Sequence, residues 1–246
     1  MATAEMGSEA AISNKAGCAV LMDAPSAGKE LHELKTRWLL VCGLLAPLLL
    51  GAFLVAAWRL TPDFSFLTEP ISQLGALGRP HPWVMNAGFI IAGILTYVFA
   101  YGLYLRLGRN IIARIVWLLL MIDGIGIVLS GIFHADSSPI GAISTLEGTL
   151  HCVFAQVAFF ALLTGIVVFA KAVHRSPAWR GFTLISLVVF VLNLALVVAF
   201  LTGEAGIMDG VLQLSFFGIS LAWLTAVSLR ALRLTGHQQQ PVYVVA

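Results

Sequence analysis

The chain has 246 residues, of which 59% are hydrophobic and 11% are charged, and its mean hydropathy is +0.95. Soluble domains are roughly half apolar and a quarter charged, so this composition excludes an ordinary water-soluble fold and indicates a membrane protein. The formal net charge of +2 comes from scattered basic residues, which excludes the concentrated basic surface typical of nucleic-acid binding.

Residues 1–36 precede the first long apolar run and contain both signs of charge without a periodic apolar pattern. Such a stretch predicts a mobile N-terminal tail that ends in a short helical lead-in. Because acidic residues lie in it and the apolar run comes late, we expect no cleavable signal peptide. The first span should therefore remain as an anchor.

Six apolar runs follow, each near the length of about 20 residues that a helix needs to cross a bilayer. Tryptophans mark several run ends, where indole rings prefer the headgroup layer. They are Trp38, Trp58, Trp83 and Trp179. The runs lie at 38–58, 83–105, 112–133, 150–173, 182–201 and 211–229. The sequence thus predicts an all-α fold, a six-helix transmembrane bundle over 37–234, followed by a short tail at 235–246.

The basic residues predict the orientation of this bundle. Twelve of the 14 Lys and Arg residues lie before span one, in the second or fourth connection, or after span six. Only Arg59 and Arg79 lie in an odd-numbered connection. By the positive-inside rule, we predict a multi-pass protein of the cell membrane with both termini in the cytoplasm.

Span three carries polar residues in a helical spacing. Asp123 lies near its middle, and Ser130 and His134 follow seven and eleven residues later. At 100° per residue these offsets place the three side chains within about 20° of one helix face. Because polar groups facing lipid are costly, we expect this face to point into the bundle.

Span four begins with Glu147 and His151, which are neighbours on a helix face. A short connection joins it to span three, so His134 and Asp136 should lie near them at the outer leaflet. We expect further polar residues of the first exterior connection and of spans two and four at a similar depth, or deeper in the bundle. The predicted binding residues of this pocket are Ser72, Gln73, Asn86, Asp123, Ser130, Glu147 and Gln156.

Three interpretations of the pocket remain open from the residues alone. The polar groups can satisfy one another and the helix ends, with Asp136 as a turn or cap residue. Alternatively, His134, Asp136 and His151 can be catalytic, as acid/base groups or metal ligands of an enzyme acting on lipid-like substrates. The third is a non-catalytic lipid-binding, cofactor-binding or assembly protein. Examples of a bound group are a quinone headgroup in the pocket or a haem held between His134 and His151. The sequence identifies no cofactor or oligomeric state, and we expect membrane lipid as the partner.

Three segments in this order resemble the domain-of-unknown-function 998 family of prokaryotic six-span integral membrane proteins. They are EPISQLGALGRPHPWVMNAGFIIAGIL at Glu69 to Leu95, SGIFHADSSP at Ser130 to Pro139 and LEGTLHCVFAQVAF at Leu146 to Phe159. The resemblance covers about Trp38 to Leu232 and implies the fold and the membrane location. It implies no activity, because none is assigned to the family.

Overall fold

The structure is a computed structural model that describes residues 8–137, 145–202 and 208–235. The described residues form six α-helices and two short 3-10 helices, and they include no β-strand. The α-helices are α1 (Ser8–Arg59), α2 (Pro82–Arg106), α3 (Ile111–Ile132), α4 (Leu146–Val173), α5 (Phe182–Thr202) and α6 (Asp209–Leu234). Each contains a segment that is long and apolar enough to cross a membrane. The predicted all-α, six-span fold is therefore confirmed.

The helix boundaries agree with the predicted spans to within one or two helical turns, except at the start of the chain. There α1 already begins at Ser8, and its membrane-spanning segment is Gly28–Arg59. Most of the stretch assigned to an N-terminal tail is thus helical rather than irregular, while its mobility stays a prediction. Residues 1–7 and 236–246, which the two predicted tails include, lie outside the described part of the chain.

The six helices form a closed ring in chain order. Each helix packs against the next one, and α6 returns to pack against α1. Because six is an even number, the start of α1 and the end of α6 lie at the same end of the bundle. We call this end the terminal face; the opposite end, which carries the α1–α2, α3–α4 and α5–α6 connections, is the loop face.

The half of the bundle near the terminal face has a tightly packed aromatic core. The ring of Phe169 lies edge-on to Trp179 and to Trp223, with centroid separations of 5.3 and 5.4 Å. Trp179 is only 3% exposed, so its predicted place in the headgroup layer is wrong. The 3-10 helix Pro177–Trp179 turns this indole inward, whereas Trp38 and Trp83 are exposed at their helix ends.

A pair of glycines brings α2 and α3 into backbone contact at mid-bundle. A Cβ added to Gly93 would lie 2.5 Å from the carbonyl oxygen of Gly124, and one added to Gly124 would lie 2.7 Å from that of Gly93. Real Cβ atoms do not approach so closely. Small residues therefore set the spacing of these two helices, as they do at many membrane helix interfaces.

The α1–α2 connection folds back over the loop face and caps it. Its 3-10 helix, Ile71–Gly75, buries Ile71 and Leu74 against the bundle. The side chain of Gln73 donates a hydrogen bond of 2.9 Å to the carbonyl oxygen of Asp136, which ties the cap to the α3–α4 connection. The cap therefore holds polar side chains over the centre of the ring.

Candidate functional site

A cavity of about 370 Å³ lies inside the ring, in the half nearest the loop face. All six helices contribute to its wall, which is mostly apolar. Representative wall residues, from α1 to α6, are Leu50, Phe89, Ile127, Ala155, Phe159, Val197 and Phe216. Polar side chains at the loop face form its mouth, and they are Ser72, Gln73, Asp136 and Gln213. The volume and the apolar lining are typical of small-molecule sites, which occupy roughly 300 to 1,000 Å³.

The inner end of the cavity is polar. Asp123, Thr96 and Ser220 line it, at the level where the α2–α3 glycine contact lies. One turn further toward the terminal face, Leu120 and Phe99 are fully buried in the aromatic core. On the α2 and α3 side, the cavity therefore ends near the middle of the bundle.

Asp123 is the most unusual residue of this inner end. Its side chain is only 3% exposed, yet the described part of the chain gives it no hydrogen bond or ion pair. A desolvated carboxyl group without a partner is costly, and more so within a membrane. Because Asp123 lines the cavity, a polar molecule inside the cavity can supply a hydrogen-bond partner for the carboxyl group.

His151 lines the same cavity, and its ring is held by the neighbouring helix. Nδ1 lies 2.8 Å from the carbonyl oxygen of Ser130 and 2.9 Å from that of Phe133, both at the end of α3. Carbonyl oxygens only accept hydrogen bonds, so Nδ1 carries the proton and Nε2 of the neutral ring is an acceptor. No side chain or backbone group of the described residues donates to Nε2. With Nδ1 held by α3, Nε2 is the ring nitrogen left for a partner from the cavity that His151 lines.

His134 does not share the polar face of α3 that its spacing predicted. The helix ends at Ile132, and Phe133 is already extended, with φ −87° and ψ 121°. The helical periodicity therefore stops before His134, whose Nδ1 instead lies 2.6 Å from Oε1 of Glu147. The backbone N–H of His134 donates to the same oxygen at 3.0 Å, and neither residue lines the cavity.

Asp136 stabilises the start of α4. Its Oδ1 accepts a 2.6 Å hydrogen bond from Oγ1 of Thr145, and Oδ2 accepts one of 3.2 Å from the backbone N–H of the same residue. Oγ1 of Thr145 in turn accepts from the N–H of Gly148 at 3.0 Å, as an N-cap does. This geometry matches the interpretation of Asp136 as a cap residue, although it also borders the mouth of the cavity.

The structure brings most of the predicted site residues to one cavity. Seven of them line it: Ser72, Gln73, Asp123, Ser130, Asp136, His151 and Gln156. The other three, His134, Glu147 and Asn86, do not line the cavity. Nδ2 of Asn86 instead donates a 2.9 Å hydrogen bond to the carbonyl oxygen of Gly75 in the cap. Among the described residues, no three His, Cys, Asp or Glu side chains come together as a group that could hold a metal ion.

Two polar residues of the inner end were not predicted from the sequence. Ser220 of α6 accepts a 3.0 Å hydrogen bond from Nδ2 of Asn193 on α5, so it joins the wall while it ties these helices together. Thr96 lies three residues after Gly93, on the same side of α2. The glycines Gly93 and Gly124 could have predicted the place of Thr96, because small residues mark where α2 and α3 come into contact beside Asp123.

Comparison with known proteins identifies a family and no characterised relative. The family described as Protein of unknown function (DUF998) matches residues 44–230. No curated protein and no solved structure matches the chain.

Proposed function

The chain belongs to the family described as Protein of unknown function (DUF998). That description assigns no activity, and we propose from the geometry of the site that this multi-pass membrane protein binds a lipid-like molecule. The cavity inside the ring carries the proposal, since it has apolar walls and a polar mouth. An apolar chain in this cavity meets apolar walls and leaves no polar group of its own without a partner. Its polar end can meet the side chains at the mouth.

The contacts of the candidate catalytic residues support binding rather than catalysis. Asp136 caps α4, and His134 is paired with Glu147 outside the cavity. His151 bonds Nδ1 to two backbone carbonyl groups of α3, so part of its role is to tether α4 to α3. The non-catalytic interpretation of the pocket therefore accounts for more of the observed contacts than the enzyme does.

The separation of Asp123 and His151 argues in the same direction. Ser130, whose carbonyl oxygen accepts from His151, follows Asp123 by seven residues on α3. At about 1.5 Å per residue this is a rise of about 10 Å along the helix axis. A direct acid–base pair needs about 3 Å between its heavy atoms. Asp123 and His151 thus act as two separate polar points in one apolar cavity.

We also propose that the protein lies in the cell membrane, with its loop face outside the cell. The helix ends and short connections at the terminal face carry most of the basic residues, among them Arg106, Arg109, Arg114, Lys171, Arg175, Arg180, Arg230 and Arg233. Positively charged connections stay on the cytoplasmic side during insertion. The mouth of the cavity would then open at the outer leaflet.

Ligand-induced stabilisation tests the binding proposal. Delipidated protein in amphipol is titrated with dodecanol, and its melting temperature is followed. A ligand at 100 times its Kd stabilises the folded state by about 2.7 kcal/mol, so the melting temperature should rise. Ala155→Phe fills the cavity and should abolish the rise. Ala195→Phe, on the exposed side of α5, is the matched control and should keep it. An equal rise in both variants would mean that the alkyl chain binds outside the cavity.

A further inference from the structure

We infer that the molecule bound in the cavity carries a hydroxyl group that donates a hydrogen bond to Nε2 of His151, so that the ligand is a lipid alcohol. The inference rests on the proposed binding function and specifies the chemical class of the ligand. Three observations carry it: the fixed orientation of the His151 ring, its burial in an apolar wall, and the contacts of the charged groups around it.

The orientation of the ring is fixed by α3. Two carbonyl oxygens, of Ser130 and Phe133, lie 2.8 and 2.9 Å from Nδ1. Rotating the ring to present Nδ1 to the cavity would leave both carbonyl groups at the end of α3 without this donor. The cavity is therefore offered Nε2, which in the neutral ring accepts a hydrogen bond and cannot donate one. The complementary group on a ligand must be a donor.

The position of His151 places that donor close to the mouth. His151 follows Gly148, which lines the mouth, by three residues of α4, or about 4.5 Å along the helix. The cavity wall beyond it contains Ala155, Phe159 and Leu162 from the same helix. A hydroxyl bound at Nε2 therefore lies at the outer end of a mostly apolar space, with room for an alkyl or isoprenoid chain below it.

The charged groups nearby disfavour an ionic head at this point. A carboxylate or a phosphodiester has no proton to donate to Nε2. An ammonium group would lose its hydration among apolar walls and would need a carboxylate beside it. However, Asp136 accepts two hydrogen bonds from Thr145, and Glu147 is paired with His134. Asp123 lies about 10 Å along α3 from Ser130, whose carbonyl oxygen accepts from His151. A neutral hydroxyl is the donor that this environment accepts at least cost.

The test compares ligands that differ in one hydrogen-bond donor. Kd values are measured for dodecanol, dodecyl methyl ether and dodecanoate, with the wild-type protein in amphipol. The ether keeps the chain and the oxygen but has no donor. A hydrogen bond of typical net strength favours the alcohol over the ether by about two- to tenfold. Dodecanoate should bind more weakly than the alcohol.

Two variants assign any such preference to His151. His151→Gln can donate to an α3 carbonyl group and offer its own oxygen to the cavity, so the preference for the alcohol should survive. His151→Leu should bind alcohol and ether equally. If His151→Leu does not fold, the wild-type ligand series and the Gln variant still decide the matter.

The possible failures are distinguishable. If neither dodecanol nor the ether binds, the proposed lipid-binding function fails, and the inference fails with it. If both bind with equal Kd values, or if dodecanoate binds more tightly than dodecanol, the cavity binds chains but the assignment of a hydroxyl at His151 is wrong. A preference for the alcohol that persists in His151→Leu would likewise overturn the role given to Nε2.

Discussion

Nδ1 of His151 on α4 lies 2.8 Å from the carbonyl oxygen of Ser130 on α3. The last carbonyl groups of a helix have no partner within it, so a side chain of one helix here completes the end of its neighbour. The same ring lines the cavity. One residue thus joins two helices and presents an acceptor to the interior, and its substitution should affect both stability and ligand binding.

The first prediction concerns this contact between helices. His151→Leu removes the donor from two carbonyl oxygens at the end of α3, one of them buried, and should lower the free energy of unfolding by about 1 to 3 kcal/mol. His151→Gln keeps a donor and should cost less. Thermal or denaturant unfolding of the purified protein measures both effects. A Leu variant as stable as the wild type would show that the tether contributes nothing to the fold.

The second prediction concerns the carboxyl group of Asp123. Because no described residue pairs with it, Asp123→Asn should leave the fold intact, and Asp123→Leu should raise the melting temperature of the ligand-free protein. A melting temperature several degrees lower for Asp123→Leu would mean that the carboxyl group has a stabilising partner.

The third prediction uses two glycines in different surroundings. Gly93→Ala places a methyl group 2.5 Å from the carbonyl oxygen of Gly124, so α2 and α3 must separate and the protein should lose stability. Gly218→Ala on α6 meets no atom within 4 Å and should be neutral or stabilising by up to about 1 kcal/mol. The two melting temperatures, measured side by side, check this. Equal effects would contradict the close contact of α2 and α3.

The fourth prediction concerns orientation in the membrane. In a background in which the three native cysteines are replaced, Ser137→Cys on the loop face should react with an impermeant thiol reagent added to intact cells. His174→Cys, an exposed position on the terminal face, should react only after the membrane is opened. The reverse pattern would place the mouth of the cavity in the cytoplasm.

The fold could be predicted almost completely, because a bilayer imposes both the helix and its length on every spanning segment. Predictions for single residues fail where tertiary contacts or a helix end determine the position of a side chain. The place of Trp179 near a span end predicts contact with the headgroup layer, but a 3-10 turn buries its ring against Phe169. The spacing of His134 predicts a helix face shared with Asp123, but helical spacing does not apply beyond Ile132, where α3 ends.

The cavity itself could be predicted only in part. Polar residues within spans are rare and costly, so their positions pointed to residues such as Asp123 and His151. The apolar wall gave no such signal, because Val197 and Phe216 are residue types that also pack tightly between helices or face lipid. A cavity depends on how six helices fit together, which no single helix encodes.

Native mass spectrometry of the protein purified from membranes in a mild detergent tests the central claim most directly. We predict one lipid-sized adduct per chain in the wild type and in Ala195→Phe, and its loss in Ala155→Phe, whose added ring occupies the cavity. Fragmentation should identify the adduct as a lipid with a free hydroxyl group. An adduct that Ala155→Phe retains at the wild-type level would contradict binding inside the ring of helices.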